Sequence, residues 1–269
     1  MKIEKDNQDI EKALSMLLEK YSIKPQQSFH LFQNGGVDSL QLLPGYNFED
    51  SNLEKHQIPL LAWRFKRKFV ELKKIVEDAI IEDVCLFRFC CMGSKDKWSL
   101  FSLLYREMDL FEFIGNGKII SVQAVISDDQ VGSVILRLDN NAICSIEVGI
   151  QVPSGTPLIE RHEIIARRGV TSDLVVDTQI PQSSIYSYTE KGESRYTDVD
   201  NELFGFDDLQ VDHIRSAFQI LKNPDLSVPW RQQHKHLCTL IQMVFESNIE
   251  RGRVILKREK VKINSGGVV

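Results

Sequence analysis

Apolar residues recur at helical spacing near the start of the chain. Ile10, Leu14, Leu17, Leu18 and Tyr21 share one face, which predicts an amphipathic helix over about residues 8 to 21, capped near Asn7 or Asp9. Residues 22 to 57 hold a short apolar run from Ser28 to Phe32, the break Asn34-Gly35-Gly36 and a Pro44-Gly45 turn signal, and read as short elements joined by loops. From Ile58 the pattern sharpens. IPLLAW predicts a short buried strand, and the following segment carries Phe65, Phe69, Leu72, Ile75 and Val76 on one helical face. EDVCLFRFCCM predicts another strand. After a polar break at Gly93 to Lys97, WSLFSLLYREMDLFEFIG has helical spacing and runs into Gly115 and Gly117, which suit a helix C-terminus and turn.

Beyond Gly117 the period falls to two. KIISVQAVIS, QVGSVILRLD, AICSIEVGIQV, ERHEIIARRG and SDLVVDTQ are β-rich runs separated by short turn signals, which predicts an antiparallel meander. A further strand, SIYSYTEK, precedes an acidic loop from Asp198 to Asp208. Two helices follow, the second with Pro229 in its first turn and a stop at Gly252. The fold class is α+β: a predominantly antiparallel open sheet with helices on one face. The chain divides into a mixed segment 1–57, an α+β domain 58–260 and a tail 261–269.

Composition narrows the function. With 42% hydrophobic residues in 269 the chain can bury a substantial core, and a formal charge of -5 gives no basic footprint for nucleic acid. The charged N-terminus lacks the apolar core of a signal peptide and no run is long enough to span a bilayer, so a cytoplasmic protein without membrane contact is expected. Cys85, Cys90, Cys91, Cys144 and Cys238 lack CxxC spacing and read as reduced, structural cysteines.

No metal, hydrolase or nucleotide-loop signature is present. His234 and His236 are two residues apart, which on a helix points them about 200° from each other and does not build a shared metal site. Asp207 and Asp208, ahead of Asp212 and His213, are best read as helix capping. His162, between Glu160 and Glu163, reads as a satisfied or exposed strand histidine, and the aromatic stretch from Trp98 to Phe113 as core.

In order, these segments resemble the C-terminal domain of the Gfo/Idh/MocA oxidoreductases, the family containing glucose-fructose oxidoreductase and inositol dehydrogenase. WRFKRKFVELKKIVED is similar to the family's arginine-containing strand end and helix, with Arg64 and Phe65 at its Arg-Phe position. REMDLFEFIGNGKIISVQAV is similar to its helix, glycine turn and first sheet strand, with Asp109 at its aspartate. HIRSAFQILKNPDLSVPW and SNIERGRVIL are similar to its terminal helices and their serine-to-glycine finish.

The resemblance implies an NAD or NADP site on an N-terminal Rossmann domain, yet the sequence has no GxGxxG and only 57 residues precede Ile58. It also implies an Asp-x-x-x-His pair on the helix ahead of Asp109, the histidine exchanging the substrate's hydroxyl proton. Ser102 and Arg106 stand there instead, and arginine stays protonated. Lys24-Pro25 matches only part of the family's Glu-Lys-Pro motif.

The expectation is therefore a non-catalytic relative that keeps the sheet for oligomerisation, as a homodimer or with an oxidoreductase partner, through the open sheet face. It binds no cofactor unless a partner supplies the NAD or NADP domain. One alternative is an oxidoreductase subunit for a sugar or cyclitol, with Arg64, Arg106, Asp109 and His213 around a shared cleft. The other is a binding protein for a sugar or sugar phosphate.

Overall fold

The computed structural model describes residues 2–32, 38–48, 50–173, 184–189, 192–197 and 206–256. The Asn34-Gly35-Gly36 break, most of the acidic loop and the tail 261–269 lie outside them. The first helix, α1 (Lys2–Lys20), starts well before Asn7, so neither Asn7 nor Asp9 caps it; Ile10, Leu14 and Leu18 are its buried stripe.

Three short strands follow: β1 (Phe29–Leu31), β2 (Leu40–Pro44) and β3 (Gln57–Leu60) form a parallel sheet in that order. Each sends one leucine or isoleucine stripe inward, Leu31, Leu42 and Ile58 being essentially inaccessible. Because β3 begins at Gln57 and pairs with β2, the polypeptide on either side of residue 57 shares one sheet. A 3-10 turn (Ala62–Phe65) leads into α2 (Arg67–Glu77).

Among the described residues the large sheet has nine strands and is mixed. In chain order they are β4 (Val84–Met92), β5 (Ile119–Ser127), β6 (Val131–Leu138), β7 (Ile143–Gly149), β8 (Ile159–Ala166), β9 (Gly169–Ser172), β10 (Ser184–Thr189), β11 (Gly192–Thr197) and β12 (Val254–Ile255). Their spatial order is β11-β10-β9-β8-β4-β7-β6-β5-β12. The predicted meander is thus interrupted: β4 inserts between β7 and β8, parallel to β7 and antiparallel to β8. The physical reason lies in β4 itself. Phe87, Phe89 and Cys91 are fully buried on one face, a payload that the centre of a sheet satisfies and an edge would not.

Helices α3 (Leu100–Gly115) and α5 (Ser227–Glu250) cover the inner face, α2 packs on α3, and α4 (Asp208–Lys222) lies against the 3-10 turn and α1. Asp207 caps α4 in a capping box with Gln210, as the capping reading expected. At the end of α3 the left-handed residue is Asn116, not a glycine; Gly115 and Gly117 instead allow close approach, since a Cβ there would fall 2.7 Å from Leu138 and 2.9 Å from Asp139. Among the described residues no helix covers the second face of the sheet. Val125, Ile135, Ile143, Ile159 and Ile255 are exposed on it. Among the described residues no helix is long and apolar enough to cross a membrane.

Candidate functional site

Helix α3 is buried on nearly every side, yet it carries Arg106, Glu107, Asp109 and Glu112. Buried charges must be paired, so these four side chains organise the polar interior of the molecule.

Arg106 and Glu107 turn toward the sheet. The Arg106 guanidinium pairs with Glu107 and Glu160 and reaches Cys91 Sγ at 3.4 Å. Glu160 also receives Lys66 Nζ at 2.9 Å and Lys68 Nζ at 2.6 Å, and Lys68 pairs with Asp173 at 2.7 Å. His162 closes the circuit: its Nδ1 lies 2.7 Å from Asp173 and its Nε2 2.9 Å from Glu107. Phe69 and Phe89 pack edge-on against the imidazole at 4.7 and 4.8 Å. Burial alone would push the His162 pKa down, but the two carboxylates reverse this and raise it. Burial likewise pushes Glu107 and Glu160 up, and the surrounding cations outweigh it, holding both below the usual carboxylate range.

Asp109 and Glu112 turn the other way. Asp109 accepts from Trp63 Nε1 at 2.6 Å, from Arg64 Nε and Nη2 at 2.8 and 2.6 Å, and from Gln233 at 3.0 Å. Glu112 accepts from His236, Lys118, Gln233 and the Ile119 backbone N–H. Burial alone would raise the Glu112 pKa, but these donors, His236 first, hold it down to about 2.

The structure sorts the expected site residues. Arg64 and Asp109 meet as a bidentate pair. Arg106 belongs to the sheet-side circuit, buried and spent on two carboxylates, so it has no free edge for an anionic substrate. Ser102 is the third residue of the helix and completes a capping box with Ser99, exchanging bonds of 3.0 and 2.9 Å with it. His213 bonds the Leu209 carbonyl of its own helix at 2.6 Å and packs on Phe32; its Nε2 has no partner among the described residues. Arg64 and Asp109 are thus brought together, whereas Arg106 and His213 make other contacts. His162, expected as a satisfied or exposed strand residue, is satisfied and fully buried. Neither its partners Glu107 and Asp173 nor Lys66 and Lys68 of the same circuit were read from the sequence, because they come from three separate segments with no motif spacing between them.

His234 and His236 diverge as their spacing requires, toward Tyr105 and Glu112 respectively. Cys238 Sγ lies 3.6 Å from His234 Nε2. That nitrogen faces the Asp50 carbonyl at 2.9 Å and the other faces Tyr105 Oη at 3.0 Å, while burial pushes the Cys238 thiol up to about 11, so the pair is not an activated nucleophile. Among the described residues no group of His, Cys, Asp and Glu is arranged to hold a metal.

A nicotinamide cofactor in a parallel α/β sheet lies outside the carboxyl ends of the strands. Here those ends abut an aromatic cluster. Tyr46 stacks on Trp63 at 6.1 Å and contacts Trp98 and Tyr105 at 5.8 and 6.5 Å, and Trp63, Trp98 and Tyr105 are buried. A Cβ on Gly45, just past β2, would sit 2.3 Å from Tyr105 Oη, so glycine is needed there for ring contact. Among the described residues, these rings occupy the space just past the ends of β2 and β3.

No family model and no curated protein matches the sequence. Solved structures match the fold. An oxidoreductase from Agrobacterium radiobacter, in complex with NAD+, L-tartaric acid and magnesium, aligns with TM-score 0.58 at 14% identity over 74% of this chain and 64% of its own. A protein of Thermotoga maritima assigned as an oxidoreductase aligns with TM-score 0.58 at 14% identity over 91% and 76%. Levoglucosan dehydrogenase with NADH and L-sorbose aligns with TM-score 0.60 at 13% identity over 74% and 65%. This chain thus spans just under two thirds of the first and third of these. The neighbours are described as oxidoreductases and dehydrogenases, and at the level of fold this chain shares their α+β architecture with a largely antiparallel sheet.

Proposed function

We propose that this chain is a non-catalytic, oxidoreductase-like protein whose large sheet pairs two copies through its open face. The observation that carries the first half is Arg106. It occupies the position where the resemblance expects a proton-exchanging histidine, and it is buried between Glu107 and Glu160. A guanidinium so held has no proton to exchange near neutral pH. Two further features support the reading. Lys24-Pro25, the partial match to Glu-Lys-Pro, lies between α1 and β1 and follows Ile23 in place of the glutamate. The aromatic cluster fills the space at the strand ends.

The second half is supported by the open face. Across β5, β6 and β7 its outward residues run Gln123, Ile135, Ser145 and Val125, Ser133, Glu147 in register. Toward β8 the charges neutralise one another, Glu163 pairing with Arg88 at 3.4 Å and Arg161 at 2.6 Å. Apart from Glu147 and Arg137, which a mate would have to meet with opposite charge, such a face can be covered by its two-fold mate. Sedimentation equilibrium of the wild type and of Ile135→Arg tests this. Two chains in the wild type and one in the variant, with unchanged circular dichroism, is the expected result; a monomeric wild type overturns the pairing.

The fold neighbours include enzymes solved with NADH and a sugar, which favours a second reading: a sugar or cyclitol oxidoreductase subunit served by a partner's cofactor domain. On that reading adding a full-length partner restores turnover, whereas on ours it does not.

A further inference from the structure

Beside the C-terminal end of α3 a groove of about 1180 Å3 opens between the start of β5 and the first turns of α5, with Arg64, Lys73, Phe113, Lys118, Trp230 and His236 among its lining. Glu112 in its lining and Asp109 behind Arg64 are saturated carboxylates. Each oxygen of Asp109 and each oxygen of Glu112 already accepts two bonds, which fills the lone-pair sites of a carboxylate. Asp139, also in the lining, accepts from the Lys118 backbone N–H.

The donors are not exhausted. Arg64 engages Nε and Nη2, and its Nη1 has no partner among the described residues. Lys118 spends two of its three N–H groups, on Glu112 and Gln233, and its side chain is 56% exposed. Lys73, paired with Glu77, and Arg64 share the Phe113 ring, at 5.2 and 5.3 Å from its centroid. The groove therefore offers unspent N–H donors on cationic side chains beside aromatic surface, Arg64, Lys73 and Lys118 each being paired with one carboxylate.

We infer that this groove binds a small organic anion, a carboxylate or phosphate monoester, gripped by Arg64 Nη1 and the Lys118 and Lys73 ammonium groups, with its carbon body against Phe113 and Trp230. Arginine suits such groups because its planar fork matches their paired oxygens. The inference is independent of whether the sheet pairs two copies or any reaction is catalysed.

Calorimetric titration of the full chain with citrate and with inorganic phosphate, at low ionic strength near pH 7, tests it. Saturable one-site binding of either probe is expected, and citrate against phosphate decides between carboxylate and phosphate chemistry. Lys118→Met should weaken binding about tenfold or more, the scale of one lost charge-assisted bond. Lys73→Met should weaken it less, and Lys95→Met, an exposed lysine outside the groove, should leave it unchanged. If neither probe binds the folded wild type, or if Lys118→Met binds as well as the wild type, the site is not there.

Discussion

Arg106 shows how a single residue recasts a site. With Glu107 and Glu160 on its guanidinium and Cys91 behind it, the side chain works as a structural counter-ion. Arg106→Met keeps similar volume but strands two buried carboxylates. Lys66, Lys68 and His162 remain near them, so the expected loss is at the lower end for a broken buried pair, about 3 kcal/mol by urea unfolding. A loss within about 0.5 kcal/mol, the range of ordinary surface substitutions, would mean that the circuit is not tightly formed.

Two neighbouring residues respond to pH in opposite directions. Burial lifts the Asp212 carboxyl to about 7 and depresses His213 to about 4. Folded Asp212 holds its proton where the unfolded residue has lost it, so its contribution declines as pH climbs from about 4 to 7. Folded His213 stays neutral where the unfolded residue is protonated, so its contribution grows from about 4 to 6.5. The two largely cancel between pH 4 and 6.5. Asp212→Asn removes one side of the balance: its stability relative to wild type should rise from near zero at pH 4 to on the order of 2–4 kcal/mol at pH 8. Denaturation midpoints across that range check it, and a constant offset would contradict the assignment.

Residue-scale features were legible where a local rule governs them: the Asp207 cap, and the divergence of His234 from His236. Arg64 and Asp109, grouped only through the family resemblance, do meet. The circuit around His162 was not legible, because residues 66–68, 106–107, 160–162 and 173 are brought together only by the insertion of β4 beside β8 and the packing of α2 on α3.

Among the elements, the helices were read closely because their apolar period is long and their punctuation explicit. Pro229 does lie in the first turn of α5, which opens at Ser227, and the chain turns at Gly252. The serine-to-glycine finish has a physical basis. Ser247 Oγ donates to the Gly252 carbonyl at 2.5 Å and accepts the Ala124 backbone N–H at 2.9 Å, tying the end of α5 to β5. Ser247→Ala leaves that buried N–H unpaired and should lower stability by about 1–3 kcal/mol, read from the thermal midpoint, with Ser247→Thr recovering part of it. The strand order was less legible. Period-two alternation states which residues share a face, not which strands are neighbours, so β4 looked like a strand preceding the sheet and not its centre. The parallel trio β1, β2 and β3 was read only in fragments, because three- to five-residue strands carry too few alternations to declare a period.

For the whole molecule, one continuous core joins Leu14 on α1, Leu42 on β2, Phe111 on α3 and Val134 on β6, so the small parallel sheet and the large mixed sheet are packed as one body. The fold is shared with the dehydrogenase neighbours, and the described interior is filled by the aromatic cluster and the ion circuit. On the non-catalytic reading proposed above, this interior takes up no dinucleotide. Calorimetric titration of the purified chain with NADH and NADPH tests it most directly: the account predicts no saturable heat for either, and micromolar binding of one of them would contradict it.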